Sequence, residues 1–481
     1  MKMSEVQSIA KAGELDLTLL PTMANRHGLI TGATGTGKTV TLQKMIETFS
    51  LLGVPCFVSD IKGDLSGLAK AGGNNAKVKE RLVSLGIAEN YTALPVTFWD
   101  VWGELGHPIR ATVSDMGPLL FSRLLGLNEV QSGVLTLIFK VADDEGLALL
   151  DLKDLRAMVQ HVGERSKELS LRYGNISTAS IGAIQRGLLT LESQGGDKLF
   201  GEPMLDINDL IQTADGKGIV NLLDATKLMS TPKLYAALLL WILSELFETL
   251  PEAGDRKLPK LLFFFDEAHL LFSDAPDVLI EKIEQVVRLI RSKGVGVYFI
   301  TQHPNDIPQS IAAQLGNRVA HALRAFTPKD QQAVRTAAQT MRDNTQLNEE
   351  TALMELGVGE ALVSFLDEKG TPSVTQRALI IPPFSSLGPI DAPLRAQLRQ
   401  ASIVGSVYDQ TIDSDSAYER LTKRLQEQAQ EKEQEEESKQ EKQGSSRQGV
   451  VEVLAKSVAR ELGAQIGKTL IRGILGSLFK K

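Results

Sequence analysis

His27-Gly-Leu-Ile-Thr-Gly-Ala-Thr-Gly-Thr-Gly-Lys-Thr39 decides how this chain is read. An apolar run over 27–31 predicts a strand, a polar glycine-rich turn follows, and Lys38 opens an uninterrupted helical pattern to residue 52. Within it Gly32, Gly37, Lys38 and Thr39 match G-x-x-x-x-G-K-[ST], in the strand-turn-helix context that the motif requires. Glycines let the backbone turn tightly enough for successive N–H groups to converge on phosphate oxygens, and the helix adds its positive N-terminal end. The expected phosphate contacts are Gly32, Ala33, Thr34, Gly35, Thr36, Gly37, Lys38, Thr39 and Val40. Lys38 can bridge β- and γ-phosphates and the Thr39 hydroxyl can hold Mg²⁺, so ATP with Mg²⁺ is the expected ligand pair.

Outward from this segment, short apolar runs alternate with longer helical patterns. Strands are expected at 27–31, 54–60, 96–99, 218–224, 260–266, 296–302 and 319–323, with helices at 38–52, 231–249 and 278–292. Short apolar strands alternating with helices predict an α/β fold around a mostly parallel sheet. Between 104 and 216 strand signals fade, and 116–127, 129–142, 152–162 and 176–192 carry helical periodicity, which predicts a mostly helical insertion. The NTPase core then occupies 1–103 and 217–400, with a strand pair at 360–367 and 371–380 before Pro382 and Pro383 end the ordered core. A charged linker is expected over 401–449, its stretch 419–442 being a solvated helix or disordered. In 450–481, Val451, Leu454, Val458, Leu462, Ile466, Leu470, Ile474 and Leu478 recur at helical spacing. This amphipathic tail suits packing on this or another subunit, with a membrane surface as the alternative.

Composition bounds the function. At 481 residues, 43% hydrophobic and 23% charged, the chain can build a large core, while a net charge of -7 argues against coating nucleic acid by bulk charge. A local basic channel stays open. The single cysteine, Cys56, excludes an internal disulfide framework and, in its apolar run, reads as a buried thiol. The first residues have no apolar signal-peptide core and no run reaches the roughly 18 apolar residues of a membrane span, so a cytoplasmic protein is expected. The six histidines have no zinc-ligand spacing.

A magnesium site beside a P-loop needs a carboxylate, and hydrolysis needs a group to orient water. Leu261-Leu-Phe-Phe-Phe-Asp-Glu-Ala-His269 supplies both at the end of an apolar strand. Asp266 would hold the metal shell and Glu267 would polarise the attacking water; a capping acid pair is the bland alternative. Gln302, ending the next strand, has the address of a γ-phosphate sensor. Asp60 and Asp64, in Asp60-Ile-Lys-Gly-Asp64, have a similar address, and His269 is an ordinary packing residue or a neighbour of the site.

Taken together, the Gly32 to Thr39 motif, the Asp60 segment, the Phe-Phe-Phe-Asp-Glu-Ala-His run and Ile-Thr-Gln-His-Pro304 resemble the HerA/FtsK group of P-loop ATPases. The likeness runs over about 13–383 and is nearest to the bacterial YjgR-type, HerA-like branch. It implies a RecA-like core assembled as a hexameric ring, with ATP between subunits and double-stranded DNA as the substrate of related motors. It also implies an arginine donated to the neighbouring subunit, for which Arg291 is the match and Arg318 a second candidate. Fewer than about 35 residues precede the P-loop, which departs from the N-terminal β-barrel of HerA-type proteins. Neither a helix-turn-helix nor a basic-aromatic stripe stands out. A protein partner or membrane, reached through the C-terminal tail, is therefore the alternative to DNA.

Overall fold

The strands of the computed structural model, which describes residues 7–254, 256–273 and 275–443, are given in chain order. They begin with β1 (Ala10–Ala12), β2 (Leu15–Leu17), β3 (Gly28–Thr31), β4 (Cys56–Asp60), β5 (Val96–Asp100), β6 (His107–Pro108), β7 (Thr213–Ala214) and β8 (Lys217–Gly218). They continue with β9 (Val220–Asp224), β10 (Leu261–Phe265), β11 (Val295–Thr301), β12 (Asn317–His321), β13 (Glu360–Ser364) and β14 (Gln376–Ile380). All but the β7-β8 hairpin join one 12-stranded sheet in the order β2-β1-β14-β13-β12-β3-β11-β10-β4-β9-β5-β6. From β12 to β6 every neighbouring pair is parallel; from β12 to β2 every pair is antiparallel.

The parallel half exists because its strands can be covered on both faces. β3, β4, β9, β10 and β11 are buried along their whole length. On one face, Leu42, Met45, Ile46 and Phe49 of the helix Lys38–Leu51 cluster with Val58, Phe264 and Ile300. Strand alternation sends Phe57 and Phe263 to the other face, where their rings stack at 4.6 Å. There the helix Pro232–Thr249 covers the sheet, and its Tyr235 hydroxyl meets Ser59 Oγ at 2.8 Å.

Each strand and helix expected around the core forms within a few residues of its predicted bounds. The 104–216 region contributes the helices Val113–Leu124, Glu129–Glu145, Leu152–Glu164, Ser166–Tyr173 and Thr178–Ser193. Asn128, Asp151 and Ser177 start three of them by accepting backbone N–H bonds, as N-cap residues do. This region also adds β6 to the sheet edge, a two-residue strand too short to leave a periodic signal.

Two expectations need correction. The ordered core does not end at Pro382 and Pro383, and the linker expected from residue 401 begins later. Residues up to Tyr418 belong to one unit, and a second starts at Glu419. The buried Glu47 carboxylate of the P-loop helix accepts from the N–H groups of Phe384 and Ser385, both at 2.8 Å. Farther on, Tyr408 is 1% exposed, its hydroxyl donating to Asp209 at 2.6 Å. These anchors are polar and isolated, so no hydrophobic period announces them. The charged segment lies in the helix Ala417–Gln443. The amphipathic stretch 450–481 lies outside the described residues.

Candidate active site

Parallel order places the C-terminal ends of β3, β11, β10 and β4 side by side on one edge of the sheet. Leu29, Phe299 and Phe265 share a register row, and Thr31 pairs with Thr301. The P-loop, Gln302, the Asp266-Glu267 pair and Asp60 therefore leave the sheet as neighbours, although they are spread over more than half the chain.

The loop after β3 turns through Gly32 (φ 149°), Gly35 (φ 78°) and Gly37 (φ 119°). At Gly32 a Cβ would lie 2.5 Å from His321 Cβ and 2.9 Å from Thr36 Oγ1, so only glycine fits. Neighbouring chain holds the loop from behind: Ala33 N–H donates to the Ala322 carbonyl at 2.9 Å, and Gly359 N–H to the Thr36 carbonyl at 3.0 Å. The Lys38 ammonium folds back and donates to the Gly32 and Ala33 carbonyls at 2.6 and 3.1 Å. Burial, helped by the nearby Lys62 charge, holds its pKa below the usual lysine range. Thr39 sits in the first turn of the helix that Lys38 opens.

Asp266 is buried, and burial with the adjacent Glu267 charge raises its pKa to about 7 against the opposing pull of Lys62. Its Oδ1 accepts from Glu267 N–H at 2.9 Å, and its carbonyl accepts from the Tyr235 hydroxyl at 2.6 Å. Glu267 adopts a left-handed φ of 46°, a conformation that costs roughly 1–3 kcal/mol in a non-glycine residue and collects at functional sites. This turn at the strand end lets two adjacent acids serve one site despite strand alternation. The Glu267 side chain is buried, its Oε1 3.2 Å from Lys62 Nζ. Its Oε2 makes no hydrogen bond, and His269 Nδ1 stands 3.4 Å from that carboxylate oxygen.

Asp60 reaches the same edge with a different task. Its carboxylate accepts N–H bonds from Gly63, Asp64 and Leu65 at 2.7, 3.2 and 2.9 Å and so shapes the loop that carries Lys62. Burial raises its pKa to about 6. Asp60, Asp224 and Asp100 pair in one register row, and the latter two close their own loops in the same manner. Gln302 follows β11 between the P-loop strand and the acid strand and is half-buried.

Arg291 is exposed and begins the turn before β11, at the opposite end of the sheet from the P-loop. A seven-residue strand separates it from the phosphate edge, about 20 Å at a rise of ~3.3 Å per residue. At that distance it cannot reach the phosphates of its own P-loop, and its place just after the helix Asp277–Ile290 also suits an ordinary basic residue at a helix C-terminus. Arg318 starts β12 at that same far end, half-buried, and donates to the Ala312 carbonyl at 2.8 Å.

Two residues of the site, Lys62 and His321, carry no clear signal in the sequence. Lys62 was hidden inside the Asp60 motif, where a lysine between aspartates looks like an ordinary surface charge. His321 supports the P-loop from a strand that carries no motif of its own.

The residues present fit a magnesium nucleotide. Left-handed glycines open the P-loop backbone, a cation stands at the helix N-terminus, and a buried carboxylate faces them from β10. Among the described residues no group of three or more His, Cys, Asp or Glu is set to hold a metal. Thr39 and Asp266 would therefore share Mg²⁺ with phosphate oxygens and water, the usual habit of that ion. A separate cleft of about 370 Å³ beside Trp102, Arg110 and Lys153 contains none of these residues.

No curated protein sequence matches the chain. Among solved structures, the fold is similar to the unbound bacterial conjugative coupling protein TrwBdeltaN70, with TM-score 0.54, 14% identity, and coverage of 80% of this chain and 92% of that one. Plasmid coupling protein TrwB in complex with a non-hydrolysable ATP analogue has TM-score 0.52 and 14% identity over 79% and 92%. VirB4 of Thermoanaerobacter pseudethanolicus has TM-score 0.48 and 15% identity over 81% and 98%. At 14% identity the two TrwB likenesses speak to fold alone. Residues 5–481 match the family described as Helicase HerA-like C-terminal. A RecA-like P-loop core with this sequence match makes the chain a member of the HerA-like P-loop ATPase family.

Proposed function

We propose that this protein hydrolyses ATP with Mg²⁺ in the cytoplasm, and that a ring of copies uses the energy to move along or open double-stranded DNA. The observation that carries hydrolysis is the strand order β3-β11-β10-β4, which gathers Lys38, Gln302, Glu267 and Lys62 on one edge. Lys38 would exchange its two loop carbonyls for β- and γ-phosphate oxygens. Glu267, dry and with one oxygen free of hydrogen bonds, would orient water for in-line attack on the γ-phosphorus. The bond formed is from water oxygen to phosphorus; the bond broken joins that phosphorus to the β–γ bridging oxygen, and ADP leaves. Bound Mg²⁺ would offset charge on the phosphate oxygens. Gln302 would report the γ-phosphate through β11 to the turn carrying Arg291.

Duplex DNA as the substrate is supported by the helicase-like family description. A ring is supported by the position of Arg291, remote from its own P-loop and exposed for a neighbour's. Mixed assemblies test this: Arg291→Ala and Glu267→Gln subunits should restore part of each other's activity, and no restoration would remove the trans role.

The second reading is an assembly ATPase acting on a protein or membrane partner. It is favoured by the net charge of -7 and by the exposed, Glu-rich stretch that follows Tyr418. No helix among the described residues is long and apolar enough to cross a membrane. Steady-state ATPase with and without linear duplex DNA, alongside mass by light scattering, separates the readings. DNA stimulation of a hexamer supports the motor; hydrolysis indifferent to DNA supports the second reading.

A further inference from the structure

Lys62 and Glu267 form an ion pair between the loop after β4 and the end of β10. Lys62 lies in the loop closed by Asp60, in the stretch that links β4 to the rest of the core. Its ammonium is 3.2 Å from Glu267 Oε1, and its side chain is 41% exposed while that of Glu267 is 7% exposed. The pair is therefore half-open: the carboxylate is fixed in a dry pocket, and the cation that neutralises it is reached by solvent and can move. Burial works against the charged lysine, but Asp266 and Glu267 outweigh it and raise its pKa. The Lys62 charge also helps hold the Lys38 pKa down, so the two ammonium groups share one electrostatic neighbourhood.

We propose that Lys62 is a γ-phosphate-reading positioning residue that holds Glu267 until a nucleoside triphosphate draws it away. This rests on the ATPase reading of the site. Among the described residues, that ammonium is the ion-pair partner of Glu267 Oε1, and it ties the carboxylate to the loop after β4. A γ-phosphate docked at Lys38 brings negative charge within reach of the same ammonium. A flexible lysine is a mobile point charge that can change partners, which a rigid bidentate group does less readily. Transfer of Lys62 to the phosphate leaves Glu267 free to take a water. ADP lacks the competing anion, so the ion pair re-forms after cleavage and the site does not act on water alone.

The experiment measures affinities of the full-length protein for ADP and for a slowly hydrolysed ATP analogue, each with Mg²⁺, by fluorescence titration. Lys62→Met should weaken the triphosphate analogue about tenfold and leave ADP within about twofold, and Lys62→Arg should restore part of the difference. Glu267→Gln, which frees the lysine, should tighten the analogue relative to ADP about threefold or more, and only while Lys62 is present. In the double variant that gain should vanish, the non-additivity expected of groups that share a contact. Equal loss for ADP and the analogue in Lys62→Met, or an additive double variant, would overturn the proposal. Failure of the ATPase reading looks different: neither nucleotide would bind the wild type, or Lys38→Ala would leave both affinities unchanged.

Discussion

His321 Nε2 lies 2.8 Å from the Thr41 hydroxyl behind the P-loop, while Nδ1 of the same ring donates to the Glu360 carbonyl at 2.9 Å. Burial keeps the ring neutral near pH 7, so with its proton on Nδ1 the Thr41 hydroxyl is the donor to Nε2. His27 is held in the same state at the other end of β3, where its Nδ1 accepts from Val297 N–H at 3.0 Å. Burial lowers both pKa values to about 4 from 6.5.

Acid should therefore loosen the strand that carries the P-loop. Both folded-state pKa values are depressed, so below pH 6.5 the unfolded chain binds protons that the folded chain refuses. The stability is complete above pH 6.5 and is lost as pH falls toward 4, roughly 3 kcal/mol for each ring at the acid end. Urea unfolding at pH 7.5, 5.5 and 4.5 should show the midpoint falling. His321→Gln should lower stability at neutral pH and flatten the decline; an unchanged slope would remove His321 from this account.

Substitutions at the phosphate edge should separate binding from chemistry. Lys38→Ala removes the cation aimed at the phosphates, and nucleotide affinity should drop by about tenfold or more. Glu267→Gln keeps the shape and the turn, so binding should persist while turnover falls about 10²- to 10⁴-fold. Turnover that survives Glu267→Gln would overturn the assignment of this residue to water.

The glycines of the loop should differ in tolerance. Gly32→Ala forces a Cβ to within 2.5 Å of His321 Cβ, whereas a Cβ at Gly35 meets nothing within 4 Å. Both also carry a positive φ, costing roughly 1–2 kcal/mol for alanine at Gly35. Gly32→Ala should lose nucleotide binding and melt several degrees lower; Gly35→Ala should change each less. The comparison is read by calorimetry and nucleotide titration on the same samples.

Arg395 should hold residues beyond Pro383 to the sheet. Its guanidinium is 3.1 Å from Asp224, with 13% and 5% of the two side chains exposed, and it lies over the Phe98 ring. Arg395→Ala leaves the buried carboxylate unpaired and should cost about 3 kcal/mol, seen as a lower urea midpoint. Adding Asp224→Asn to that variant should recover part of the loss.

The parallel half of the sheet was legible in the sequence because each of its buried strands is a short apolar run between polar ends. β1 and β2 were not, since three residues pinned by antiparallel partners carry no usable period. The P-loop and the Asp266-Glu267 pair declared themselves because phosphate chemistry constrains which residue types stand in adjacent positions. Lys62 and His321 act through partners more than 200 residues away, and only the fold reveals those. Asp60 shows the same limit from the other side: its address at the edge was readable, its turn-closing hydrogen bonds were not.

Glu47 gives the P-loop helix an unusual birth order. Its carboxylate takes the Lys44 ammonium at 3.1 Å on one oxygen and the Phe384 and Ser385 N–H groups on the other. A chain emerging from the ribosome makes this helix early, yet the buried charges inside it stay half-satisfied until residue 385 arrives. β14 closes on β1 just before then, and Gly359 reaches the back of the P-loop earlier still. Contacts so distant in sequence form slowly. The support behind the phosphate loop is thus completed only when residues 359–385 have been made, so this part of the core should mature late during synthesis.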